Sequence, residues 1–101
     1  MVLEKISKII RENMRKSDIA SRWGGEEFLI LLPETNLQNA TLVAEAFRRK
    51  IEEANFGIDE KITVSVGVAN IENNESIDSL IQRADKNLYK AKESGKNKVV
   101  F

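Results

Sequence analysis

The chain has 101 residues, 42% of them apolar and 32% charged, a length that supports one small core. Its sixteen basic and sixteen acidic side chains cancel, which excludes a general polyanion-binding surface for DNA or RNA and leaves phosphate recognition to local clusters. With neither cysteine nor histidine, disulfides, thiolate or imidazole zinc sites and the Ser-His and Cys-His catalytic pairs are all excluded, so any chemistry falls to carboxylates, lysines, hydroxyls and a hard cation.

The first element is an amphipathic helix. Leu3, Ile6, Ile9, Ile10 and Met14 recur at helical spacing, with Glu4, Lys5, Lys8, Arg11 and Glu12 between them. It has no visible N-cap and does not resemble a signal peptide. Asp18–Trp23 and Phe28–Leu32 follow as two short strands joined through Gly24-Gly25, the pattern of a β-hairpin. The second strand is apolar on both faces, as expected of a buried central strand.

Pro33 ends that strand, and Thr35 with Gln38 makes a capping-box pattern ahead of a long helix. Ala40, Val43, Ala44, Phe47, Ile51 and Ala54 form its buried stripe, and Gly57 closes it. Ile62–Val68 alternates, with branched residues on one face and Thr63, Ser65 and Gly67 on the other. A face of small residues leaves room for a helix or a ligand. Ser76 caps a last helix striped by Ile77, Leu80, Ile81, Ala84, Leu88 and Ala91. Gly95 terminates it, and Val99-Val100-Phe101 makes a short closing strand. The order α-β-β-α-β-α-β is that of one α+β layered domain over residues 1–101. No apolar run approaches the roughly 18 residues of a membrane span, and a cysteine-free chain suits a reducing, cytoplasmic location.

Three clusters are candidates for chemistry. In Trp23-Gly24-Gly25-Glu26-Glu27-Phe28 the glycines let the backbone approach a ligand closely, and two carboxylates arrive where a phosphate-bound cation can be held. The alternative is a Gly-Gly turn whose acidic residues blunt an exposed edge. Adjacent strand residues point to opposite faces, so Glu26 and Glu27 cannot both serve one site by side-chain direction alone. Arg15 and Asp18, three apart, either neutralise a helix end or meet the edge of a guanine, arginine on its acceptors and carboxylate on its donors. Lys92 and Lys96, at the basic exit of the last helix, either offset its dipole around the Gly95 cap or clamp a triphosphate.

Taken together, these segments resemble the GGDEF domain, the family of bacterial diguanylate cyclases. The elements that carry the resemblance are Arg15-x-x-Asp18, Arg22-Trp23-Gly24-Gly25-Glu26-Glu27-Phe28, Leu31-Leu32-Pro33-x-Thr35, Ala44-Glu45 with Arg48, Thr63–Val68, and Ala84-Asp85 through Leu88-Tyr89, Ala91-Lys92 and Gly95-Lys96-Asn97. They come in family order and span essentially the whole chain. The resemblance implies an adenylyl-cyclase-like, ferredoxin-like fold with an antiparallel-containing sheet. It implies condensation of two GTP into cyclic di-GMP with release of pyrophosphate, by a homodimer whose halves each hold one GTP. Gly24 and Gly25 would lie against the phosphates, and Glu26 would bind Mg2+ (or Mn2+) beside the attacking 3′-hydroxyl. Glu27 would share that metal environment, and Lys92 and Lys96 would hold phosphates. Arg15 and Asp18 match the family's inhibitory product site.

The resemblance also implies a strand and a helix ahead of the first element, carrying a metal-binding aspartate and guanine-recognising residues. Residue 1 falls within what would be the family's second helix. The missing strand would lie between Phe28–Leu32 and Ile62–Ala69, leaving two apolar edges to pair directly or to be covered by self-association. A homo-oligomer, and no cyclase activity from residues 1–101 alone, are the expectations. The competing reading is a non-catalytic module that binds cyclic di-GMP through Arg15 and Asp18, or that only dimerises.

Overall fold

The computed structural model describes residues 2–23 and 27–101. Among the described residues, three helices and four strands follow in the expected order: α1 (Val2–Glu12), β1 (Ile19–Trp23), β2 (Glu27–Leu31), α2 (Leu37–Glu53), β3 (Val66–Gly67), α3 (Ile77–Glu93) and β4 (Val99–Val100). The β1–β2 hairpin is antiparallel, Ile19 opposite Leu31 and Trp23 opposite Glu27. Its connection, Gly24, Gly25 and Glu26, lies outside the described residues. β3 pairs with β4 in parallel.

Alternation along the strands sorts the layers. Phe28 and Ile30 of β2 and Ile62 and Val64 pack with Val2, Ile9 and Met14 around the buried Ile6, Ile10 and Ile51 of α1 and α2. Leu32, Val66 and Val99 pack around Ala40, Ala44 and Val68. The even-numbered residues of 62–68 therefore all face α1 and α2. The opposite, small face receives α3. A Cβ on Gly67 would run into the Ala84 carbonyl oxygen and the Leu88 amide nitrogen and lie 2.8 Å from the Leu88 Cα. Helix backbone occupies the space that a side chain would need. Asn87 adds a bond to the same strand, its Nδ2 donating to the Val68 carbonyl at 2.7 Å.

Five expectations are corrected. The ladder within Ile62–Val68 is confined to Val66–Gly67, because β4 supplies only two residues as its partner. β2 is half-buried rather than a buried central strand, since among the described residues β1 is its sole ladder partner. The helix cap is Asn36, whose side chain accepts from the Asn39 N–H at 2.8 Å; Thr35 is engaged elsewhere. Helix α2 ends at an Ala54 cap, and the left-handed Gly57 stands three residues further on. Ile77, expected in the buried stripe of α3, is 54% exposed.

The start of α3 is secured by charge. Glu75 accepts from Arg83 Nε at 2.7 Å, from Ser79 Oγ at 2.9 Å and from the Glu72 N–H at 3.1 Å. The Arg83 hydrogen bond is the main cause that lowers the Glu75 carboxyl from 4.5 to about 2. A lowered folded-state value means that the unfolded chain binds the proton more tightly. The clamp's contribution is then complete above 4.5 and is lost as pH falls toward 2.

Two outcomes follow for stability. Gly67→Ala destabilises by about 3 kcal/mol or more, since the clash is with backbone that cannot rotate away. Gly57→Ala costs on the order of 1 kcal/mol, because there the left-handed φ is the sole penalty. Urea denaturation of both variants checks the order; equal costs would contradict the packing. For Glu75→Gln, the stability deficit against the parent chain is largest at neutral pH and shrinks in acid. A deficit independent of pH would contradict the clamp.

Candidate functional site

The end of the hairpin and the exit of α3 meet. In β2, Glu27 shares a face with Leu29 and Leu31, opposite the face whose Phe28 and Ile30 enter the α1–α2 core. That places its carboxylate on the α3 side. Lys92, on the last turn of α3, brings Nζ to 3.8 Å from Glu27 Oε2, both side chains being about half exposed. Two sequence-predicted residues from segments 65 positions apart are thus adjacent. Lys96 is exposed on the turn after α3. There Gly95 (φ 116) and Lys96 (φ 62) reverse the chain, and the Lys96 N–H donates to the Ala91 carbonyl at 2.9 Å. This six-to-one bond closes the helix and sets Lys96 just past its basic end.

The predicted site residues Gly24, Gly25 and Glu26 lie outside the described residues. Among the described residues, no group of three acidic side chains is gathered around a point that a metal ion could occupy. The donors available at the hairpin are carboxylate oxygens, a set suited to Mg2+ or Mn2+ and unsuited to soft metals.

Arg15 and Asp18 form a second cluster. Asp18 Oδ2 accepts from the Arg15 backbone N–H at 2.8 Å, and Oδ1 accepts from Arg15 Nη2 at 2.8 Å and Nε at 3.1 Å. Arg15 Nη2 also donates to the Pro33 carbonyl at 3.0 Å and to Thr35 Oγ1 at 2.8 Å. The pair ties the chain leaving α1 to the loop between β2 and α2. Asp18 is 4% exposed and Arg15 56% exposed, so the carboxylate is enclosed while the guanidinium keeps an open face. The hydrogen bond from Arg15 holds the Asp18 carboxyl below its usual range. Beside the pair is a cleft of about 180 Å³ lined by Asn13, Leu32, Glu34, Asn39 and Val43 among others.

Sequence reasoning missed Thr35 as the partner of Arg15, and it missed a connection between Arg48 and Asn97. Arg48 Nη1 donates to Asn97 Oδ1 at 2.9 Å, across 49 positions of sequence. Both residues stand in the quoted motifs, but no local spacing links them.

A family model described as diguanylate cyclase, GGDEF domain, matches residues 1–98. The chain belongs to the GGDEF family. Diguanylate cyclase DgcM of Escherichia coli K12 is 43% identical over 99 residues, covering 98% of this chain and 24% of the relative. Among solved structures, the active GGEEF domain of a diguanylate cyclase from Vibrio cholerae superposes with a TM-score of 0.89 at 32% identity, covering 98% of this chain and 65% of that one. The GGDEF domain of DgcB from Caulobacter crescentus, in complex with cyclic di-GMP, gives 0.90 at 30% identity, covering 98% and 61%. The chain therefore spans about a quarter of the length of this curated relative and less than two thirds of these two solved chains. The α+β GGDEF architecture expected from the sequence is the one found. Among the described residues, no helix is long and apolar enough to cross a membrane.

The two clusters should separate in mutagenesis. Asp18→Ala removes every acceptor that Arg15 finds on this side chain and should lower the thermal midpoint measurably. Glu27→Ala, losing one exposed pair, should change stability by less than about 1 kcal/mol. Thermal melts of the two variants check this, and a larger effect at Glu27 would contradict it.

Proposed function

We propose that this chain is a catalytic GGDEF module of a diguanylate cyclase, acting in cyclic di-GMP signalling. The observation that carries the proposal is the meeting of Glu27 with Lys92, which joins the acidic hairpin to the basic helix exit. In the reaction, the 3′-hydroxyl of one GTP gives its proton to the Glu26 carboxylate, and its oxygen forms a bond to the α-phosphorus of a second. The bond from that phosphorus to the bridging oxygen breaks, and pyrophosphate leaves with the electron pair. A second, symmetric step closes the ring, so two GTP yield cyclic di-GMP and two pyrophosphates.

Phosphoryl transfer of this kind depends on positioning and charge neutralisation, which suits a chain without histidine. Lys92 and Lys96 hold the phosphates against the hairpin. Gly24 and Gly25 let its backbone approach them, and Glu26 is the catalytic carboxylate beside the attacking hydroxyl. Glu26 and Glu27 would hold a Mg2+ or Mn2+ ion, which when bound would supply charge neutralisation at the phosphates. A glutamate at position 26 has support in the Vibrio cholerae domain, whose description as an active GGEEF domain carries the same five-residue string. Because the two guanosine units come from separate GTP molecules, two half-sites must face each other, and a homodimer is the assembly proposed.

Residues 1–101 alone are proposed to be inactive, since the described residues bring a single hairpin carboxylate, that of Glu27, to Lys92. The test compares the complete protein with this segment, each given GTP and Mg2+, with cyclic di-GMP and pyrophosphate as readouts. Turnover by the complete protein, and none by the segment, is expected. Failure of the complete protein to form cyclic di-GMP would overturn the cyclase reading, and turnover by the segment would overturn the second part.

A product-binding role for Arg15 and Asp18 is supported by the half-exposed guanidinium and the adjoining cleft. Cyclic di-GMP would exchange its guanine edge for part of the internal Arg15–Asp18 bonding. Titration calorimetry should detect binding that Arg15→Ala abolishes; binding unchanged in that variant would sink the assignment. The same binding without turnover by the complete protein would favour the non-catalytic reading.

A further inference from the structure

Three successive residues after α3 have positive φ: Gly95 (116), Lys96 (62) and Asn97 (48). For the last two this conformation is costly, and it persists only where neighbours enforce it. The enforcing contacts come from α2. The Asn97 side chain accepts from Arg48 Nη1 at 2.9 Å and donates from Nδ2 to Glu52 Oε2 at 2.6 Å. Only one orientation of the amide satisfies a guanidinium on one side and a carboxylate on the other. Arg48 is itself fixed, its Nε donating to Glu45 Oε1 at 2.8 Å and its Nη1 standing 3.4 Å from Glu52 Oε1. Lys61 Nζ, at 3.4 Å, is a further charge on Glu52.

The turn is also tied at its two ends. Ser94 N–H bonds to the Lys90 carbonyl at 3.0 Å, and the Lys98 carbonyl accepts from the Val66 N–H at 2.9 Å. Between those anchors, Asn97 is where α2 grips the turn. Lys96 is the neighbouring residue, and Lys92 lies one helical turn back.

We infer that Arg48 and Glu52 are positioning residues that act through Asn97, holding the turn so that Lys96 and Lys92 present their ammonium groups together to a nucleotide triphosphate. This rests on the reading of Lys92 and Lys96 as phosphate holders. None of the three touches the substrate. Their effect is on where the two cations stand, so it appears in substrate binding more than in the chemical step.

The test is steady-state kinetics of the complete protein with GTP and Mg2+. Asn97→Asp keeps the acceptor for Arg48 but turns an oxygen toward the Glu52 carboxylate, replacing a bond by repulsion. KM for GTP should rise about tenfold with kcat nearly unchanged. Adding Glu52→Gln restores a donor facing the new carboxylate and should return KM to within about twofold of the parent. Asn97→Gly tolerates the positive φ without the clamp and should behave as Asn97→Asp does. Lys92→Ala is the reference and should also raise KM. If Lys92→Ala raises KM while Asn97→Asp leaves it unchanged, or if Glu52→Gln gives no rescue, the inference is overturned and the phosphate reading stands. If Lys92→Ala leaves KM unchanged, the phosphate reading fails and the inference falls with it.

Discussion

The approach of α3 to Gly67 is the constraint on which the site depends. A strand residue without a Cβ lets helix backbone settle directly on the sheet. The helix then has a fixed height and direction, reinforced by Asn87 on the Val68 carbonyl. Height and direction decide where its far end emerges, and it emerges beside β2. The Glu27–Lys92 pair is a consequence of that seat. The pair contributes little to stability, because both groups are half exposed in water. Its interest is in placement: carboxylate and ammonium groups close enough to share one phosphate-bearing ligand.

On the other side of the sheet, different forces act. The even-numbered residues from Ile62 to Val68 bury apolar surface under α1 and α2, a driving force with little directional demand. Direction comes from the charged residues of α2. Arg48 and Glu52 lie on the flank of a helix whose buried face is Ala40, Ala44, Phe47 and Ile51, and they reach across to the turn after α3. The same helix thus anchors the core and grips the basic turn. Such clamps carry information about position that hydrophobic packing does not.

Most of the architecture was legible locally. The alternation of branched and small residues from Ile62 to Val68 announced both faces, and the small face is the one α3 occupies. Ser76 caps α3 as its chemistry suggests, accepting from the Ser79 N–H at 3.1 Å. The rest was hidden because it depends on distant partners. Thr35 and Asn36 can each cap a helix; Arg15, twenty residues earlier, takes the Thr35 hydroxyl and leaves the cap to Asn36. Strand length within 62–68 was not readable because a ladder needs a partner, and β4 offers two residues. The acidic hairpin and the basic helix exit each read as chemistry or as ordinary capping. Their adjacency depends on how α3 seats against Gly67, which no local spacing announces.

The most direct measurement of the central claim is zero-length carbodiimide cross-linking of the protein followed by peptide mass spectrometry. This reagent joins a carboxylate to an amine only where the two are already in contact. The account expects an amide between Glu27 and Lys92, together with one between Glu52 and Lys61, whose groups stand at 3.4 Å and serve as the internal reference. A Glu52–Lys61 link with none between Glu27 and Lys92 would contradict the account, since the seat of α3 on Gly67 would then not deliver its lysine to the hairpin.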